Sequence, residues 1–144
     1  KYHRVITHIK RKSQMSSIFT QIIQGEIPCH KIYESDTAFA FLDIRPIREG
    51  HTLLVPKKEV DVFFELDDDT LSDLTLTAKR ISQAIQDTVH CQRVGMMVAG
   101  LEVPHAHMHL IPIQRSEDLN FALASHASDE TLAAIAEAIR ANLS

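Results

Sequence analysis

Pro104-His105-Ala106-His107-Met108-His109-Leu110-Ile111-Pro112 is the stretch on which the reading of this chain turns. Three histidines alternate with the apolar residues Ala106, Met108 and Leu110. Side chains of a strand point alternately to its two faces, so residues 106–113 are predicted as a strand. Its imidazoles lie on one face and its apolar spacers on the other. Neighbouring imidazoles then stand two rises apart, about 7 Å. No ordinary core needs three histidines on one face, so the row is read as a reactive surface.

Working outward, residues 93–98 read as the preceding strand. Before them, Asp67, Asp68 and Asp69 offer a cap and favourable charge to a long helix. Leu71, Leu74, Ala78, Ile81 and Ile85 keep helical spacing to about His90. Residues 31–34 and 37–43 read as strands around a Ser35-Asp36 turn, and 51–55 as a third strand between Gly50 and Pro56. Residues 18–24 form a short helix stopped by Gly25 and Pro28. Ser128 caps a final helix carrying Leu132, Ile135, Ala136 and Ile139. Five strands with a long helix between the third and fourth predict an α+β fold: a five-stranded antiparallel sheet with its helices packed on one face.

The chain of 144 residues is 44% hydrophobic and 24% charged, enough for one domain with a core. Five of its 15 basic residues (Lys1, Arg4, Lys10, Arg11, Lys12) fall in the first twelve positions, leaving ten against 19 acidic ones. An acidic body argues against general nucleic-acid binding, which needs a positive face. Residues 1–14 are read as a basic tail and 15–144 as a single domain. No run approaches the ~18 apolar residues of a membrane span, and no apolar signal segment stands at the start. Cys29 and Cys91 lack CxxC spacing, which fits a reducing, cytoplasmic compartment.

Two chemistries suit the histidine row. In one, two of the histidines bind a metal with help from His51 or a carboxylate. One straight strand cannot wrap all three around a single ion, because zinc–nitrogen bonds are only ~2 Å long. In the other, the middle imidazole attacks covalently. Neutral imidazole is nucleophilic, a hydrogen bond from its Nδ1–H to a carbonyl frees Nε2, and flanking histidines steady an anion. That combination suits transfer of a phosphorus centre, where positioning and charge stabilisation dominate.

Residues 105–111 fit His-φ-His-φ-His-φ-φ, with φ apolar, and so resemble the signature of the histidine triad (HIT) superfamily. The likeness extends to Ile18-Phe19-Thr20-Gln21-Ile22-Ile23-Gln24-Gly25-Glu26-Ile27-Pro28, similar to the family's first helix and its exit. It extends also to Phe41-Leu42-Asp43-Ile44-Arg45-Pro46 and to Gly50-His51-Thr52-Leu53-Leu54-Val55-Pro56-Lys57-Lys58, which resemble its nucleotide-binding strands. In length the chain is most similar to the Hint-like branch of dimeric nucleoside phosphoramidases and nucleotidyl hydrolases. The resemblance implies that His107 attacks the α-phosphorus of a purine nucleotide conjugate and that water resolves the nucleotidyl-histidine. It implies that His105 and His109 bind phosphate oxygens or relay the proton, with His51 as a fourth histidine near that phosphate. Asp43 would accept the ribose hydroxyls, and Ile18, Phe19, Ile22, Phe41, Ile44 and Leu53 would line the slot for the base. A homodimer is implied, and neither a metal nor a cofactor is expected.

The segment before the triad departs from the family's pattern. Ala99 stands near the usual Asn, the Gly-rich loop is shorter, and Leu101 and Glu102 replace a polar Gln-Ser or Gln-Thr pair. Ser17-Ile18-Phe19-Thr20 stands where some relatives carry a zinc-binding CxxC, so no such zinc is expected. Two alternatives stay open: a nucleotide-binding interaction protein with vestigial catalysis, and a metal-dependent hydrolase using His105, His107 and His51.

Overall fold

The structure, a computed structural model, describes residues 16–144. The basic segment 1–14 and Met15 lie outside the described residues. Strands β1 (Lys31–Glu34), β2 (Ala38–Leu42), β3 (Thr52–Pro56), β4 (Arg93–Met97) and β5 (Met108–Ile113) form one antiparallel sheet in the order β1-β2-β3-β5-β4. Helices α1 (Ile18–Ile23), α2 (Asp68–Thr88) and α3 (Asp129–Asn142) accompany it. The α+β class, the five strands and the three helices agree with the sequence reading.

The helices start where side chains satisfy the free N–H groups of the first turn. Asp67 accepts from the Thr70 N–H at the head of α2, and Ser128 from the Thr131 N–H at the head of α3. Ser17 does the same for α1 through the Thr20 N–H. Among the described residues no helix is long and apolar enough to cross a membrane.

Strand alternation sorts the sheet into two interiors. On one face Ala38, Ala40, Leu42, Leu54, Met108 and Leu110 meet Leu74, Ala78, Ile81 and Ile85 of α2 and Leu132, Ala136 and Ile139 of α3. Each fully buried Leu or Ile there contributes about 1.5–3 kcal/mol. On the other face Phe39, Phe41, Leu53 and Val55 meet Phe19 of α1, with Ile22 packed against them. The expectation of helices on one face is therefore corrected. The long helices share a face, and short α1 lies on the opposite one because Phe19 packs on the phenylalanines of β2.

A second correction concerns the triad. Strand β5 starts at Met108, two residues later than predicted. His105 N–H bonds the Val103 carbonyl at 2.8 Å and Ala106 N–H bonds the Val60 carbonyl at 2.6 Å, so these donors are engaged outside the sheet ladder. The spacers behave as expected: Ala106, Met108 and Leu110 all enter the helix-side core.

Candidate active site

The alternation that turns Phe39, Phe41 and Leu53 toward α1 also sets Asp43 two residues beyond Phe41 and His51 two residues before Leu53. The Asp43 N–H bonds the His51 carbonyl at 3.0 Å, carrying the β2–β3 pairing past the strand ends. Gly50 makes the turn into His51 possible. Its φ is +93°, and a Cβ there would stand 3.1 Å from Val89 Cγ2 and 3.3 Å from Pro112 Cγ. His109 pairs with Leu53 of β3 on one side and Met97 of β4 on the other.

Two hydrogen-bond chains fix the rings. The His51 Nδ1 accepts from the Ile47 N–H at 3.0 Å, so the proton of the neutral ring lies on Nε2. That nitrogen faces His109 Nδ1 at 2.9 Å and donates to it, which leaves the His109 proton on Nε2. His107 Nδ1 lies 2.7 Å from the His105 carbonyl oxygen, which can only accept. His107 therefore carries a proton on Nδ1, and in its neutral form Nε2 keeps the lone pair.

Burial favours the neutral forms of His51, His109 and His105, because it penalises the charged imidazolium. It pushes His51 down to about 4. His109 is lowered to about 4 by burial and by the neighbouring His51 and His107, against the opposing pull of Asp43. His105 is lowered by burial as well. The Asp43 carboxyl is raised by burial and held back by the Arg45 N–H and the histidines.

His105 differs from its neighbours. It is 0% exposed, its Nε2 bonds the Pro56 carbonyl at 2.8 Å, and its Nδ1 meets Ser17 Oγ at 2.6 Å. Both ring nitrogens are taken by protein groups, so His105, expected beside the phosphate, holds an interior hydrogen-bonded position in this structure. The metal set His105, His107 and His51 fails for the same reason. The donor atoms that do converge, within 4.8 Å, belong to Asp43, His51 and His109. There the His51–His109 hydrogen bond already occupies the two facing nitrogens.

The residues expected to line the base slot divide into two groups. Phe19, Phe41 and Leu53 are buried in the second core, with Ile22 beside them. Ile18 and Ile44 are 51% and 56% exposed. Asp43 Oδ1 accepts from the Arg45 N–H at 2.9 Å, a turn-forming bond, while Oδ2 stands 3.6 Å from His51 Nε2. Glu102 and Leu101 are exposed on the loop before the triad. Cys29 and Cys91 are unpaired thiols.

Sequence reasoning passed over four residues. Ser17, Thr20 and Glu59 surround His105, and Phe121 stands edge-on to His109 with ring centroids 4.9 Å apart. Phe121 arrives because the chain after β5 folds back along the β2–β3 connection. The Ser125 N–H bonds the Pro46 carbonyl and the Ala127 N–H the Ile44 carbonyl, each at 3.2 Å. Phe19 closes the other side, its ring centroid 5.0 Å from that of His107.

The HIT domain family matches residues 24–116. Adenosine 5'-monophosphoramidase HNT1 of Saccharomyces cerevisiae is 41% identical over 96 residues, covering 66% of this chain and 61% of that protein. Adenosine 5'-monophosphoramidase hnt1 of Schizosaccharomyces pombe is 36% identical over 104 residues, 72% of this chain and 78% of that protein. Among solved structures, a Hit-like protein from Bartonella henselae superposes with a TM-score of 0.79 at 31% identity, over 89% of this chain and 96% of that one. By matched family, sequence relatives and fold together, this chain belongs to the HIT family, in its Hint-like branch.

Proposed function

We propose that this chain cleaves the α-phosphorus bond of a purine nucleoside phosphoramidate, or a related nucleotide conjugate, through a nucleotidyl-histidine at His107. One observation carries the reading: the hydrogen-bond chains leave a lone pair on His107 Nε2 and an N–H on His109 Nε2, on adjacent rings 5.1 Å apart. The named activity of the two yeast relatives supports the same chemistry.

In this reading His107 Nε2 forms the bond to phosphorus as the P–N bond breaks and the amine leaves with the electron pair. The amine needs a proton, and a neutral imidazole is too weak an acid to supply it. The incoming phosphate provides the remedy, since an adjacent negative charge raises the His109 pKa from about 4; the ring gains its second proton on Nδ1 and delivers the one on Nε2 to the departing amine. Water then attacks phosphorus, its proton passes to the lone pair left on His109 Nε2, and the bond to His107 Nε2 breaks, releasing the nucleotide and restoring the His107 lone pair. His51 orients His109, Asp43 accepts from the ribose hydroxyls, and the base lies between the Ile18 and Ile44 rims over Phe19, Ile22, Phe41 and Leu53. No step needs a metal or cofactor. The reading includes a cytoplasmic enzyme and a homodimer, for which edge strand β4 presents Met96, 55% exposed, to a second copy.

Acid-quenched enzyme mixed with adenosine 5'-phosphoramidate is expected to carry an adenylyl mass on the His107 peptide. His107→Ala is expected to lose at least ~10³-fold in turnover while AMP binding stays measurable by calorimetry. Full turnover in that variant overturns the mechanism. Tight AMP binding with no AMP release by the wild type would instead favour a nucleotide-binding protein with vestigial catalysis.

A further inference from the structure

Behind the reactive rings lies a polar cluster that the chemistry does not touch. Ser17, Thr20, Glu59 and His105 come from three separate stretches and meet beneath the start of α1. Glu59 Oε1 accepts from the Ser17 N–H at 2.7 Å and from the Thr20 hydroxyl at 2.6 Å. Ser17 Oγ reaches His105 Nδ1 at 2.6 Å, and Thr20 Oγ1 stands 3.4 Å from the same nitrogen. On the far side, the Pro56 carbonyl accepts from His105 Nε2 and the Val60 carbonyl from the Ala106 N–H. Residues 56–60 thus grip the triad connection at both ends. Glu59 lies between the two grips and ties them to α1.

The donor count fixes the tautomer of His105. A main-chain carbonyl only accepts, so Nε2 carries the proton and Nδ1 must accept. Thr20 directs its hydroxyl hydrogen to Glu59, and the Ser17 hydroxyl is the donor left for Nδ1. Burial raises the Glu59 carboxyl, but the Thr20 and Ser17 hydrogen bonds outweigh it and hold the group below its ordinary range, an ionised acceptor at neutral pH.

We propose that Ser17, Thr20 and Glu59 are positioning residues. They lock the ring and main chain of His105, so that its carbonyl oxygen holds the His107 Nδ1–H and the His107 Nε2 lone pair points at phosphorus. The inference rests on the reading of His107 as nucleophile. It also makes α1, with Ile18, Phe19 and Ile22, a mechanical neighbour of the reacting ring, so the helix expected to hold the base and the nucleophile's support are one unit.

Three disruptive variants, Ser17→Ala, Thr20→Val and Glu59→Leu, are compared with Ser17→Thr and Glu59→Gln, which retain a hydroxyl and a carbonyl acceptor. Long-range ¹⁵N spectra of the imidazoles read the tautomers. Kinetics with adenosine 5'-phosphoramidate separate kcat from KM, and AMP titration gives Kd. The wild type is expected to hold His107 as the Nδ1–H form. The disruptive variants are expected to mix its tautomers and lose about 10-fold in kcat, a part of the ~10²-fold that a 1 Å misplacement costs. Their KM and AMP Kd stay within about twofold, because ground-state binding is not what is lost. The conservative pair retain the wild-type tautomer and kcat. Leu132→Ala, buried on the other face, lowers stability without moving the His107 tautomer. Unchanged His107 spectra and kcat in the disruptive variants overturn the proposal, as does an equal kcat loss in Leu132→Ala. A variant that fails to fold leaves the other two to decide. A wild type with no turnover sinks the phosphoramidase reading alone, since the ring spectra still report whether the cluster sets the tautomer.

Discussion

On the α2/α3 face of the sheet the buried groups are aliphatic, from Ala38 through Ile81 to Ile139. On the opposite face rings meet tilted or edge to face, from Phe39 and Phe41 through Phe19 and His107 to His109 and Phe121. Strands β2, β3 and β5 supply both, because successive residues point opposite ways. Dispersion and water exclusion hold the first face and ask only for volume. Ring quadrupoles and hydrogen bonds hold the second and ask for direction. Stability and geometry are thereby assigned to different sides of one sheet.

The sharpest way to break that division is to cut a hole in the aliphatic side. Ile81 is 0% exposed, and Ile81→Ala is expected to lose about 2–5 kcal/mol in urea unfolding. Below the transition, AMP affinity per folded molecule should stay at the wild-type value. A weakened affinity would show that the two faces are energetically joined.

Acid probes the other side. His51 and His109 sit at about 4 when folded against about 6.5 unfolded, so the unfolded chain binds more protons between those values. Their contribution is complete above pH 6.5 and is lost as pH falls toward 4. It amounts to several kcal/mol for the pair, at about 1.4 kcal/mol per ring for each pH unit between those values. Urea titrations from pH 7 to 4, beside NMR titration of the two rings, check this. Ordinary midpoints near 6.5 for both rings would remove the neutral relay. Asp67, lowered to about 2 by its Thr70 and Lys58 hydrogen bonds, acts at lower pH, below this window.

The smallest effect sharpens the comparison within the ring face. Phe121 is 45% exposed, and Phe121→Ala should change stability by less than about 1 kcal/mol. Opening His109 to water should raise its pKa from about 4 and leave His51 where it is, as read by NMR. Equal movement of both rings would mean that Phe121 excludes water from the whole site.

The sequence carried the aliphatic side well. Caps at Asp67 and Ser128 and the spacing of Leu74, Ala78, Ile81 and Ile85 are local signals, and the structure repeats them. The alternation of Ala106, Met108 and Leu110 likewise told which way the spacers face. The ring side was legible only in part, because its decisive contacts join residues far apart in the chain. Ser17 lies 88 positions before His105 and Thr20 lies 39 before Glu59, so no local period links them. Alternation also could not tell that Ala106 bonds Val60 ahead of the ladder, which delays β5 and turns His105 inward. Phe121 follows a stretch with no period, and its place depends on how residues 114–127 return along the β2–β3 connection.

The oxygen that holds His107 belongs to the peptide bond of residue 105 and to no side chain. A peptide oxygen has no ionisation in the physiological range and persists whichever amino acid is encoded there. Mutational scanning at that codon therefore interrogates the ring's anchorage and never deletes the acceptor, so the most direct support of the His107 ring is hidden from genetics and open only to backbone chemistry.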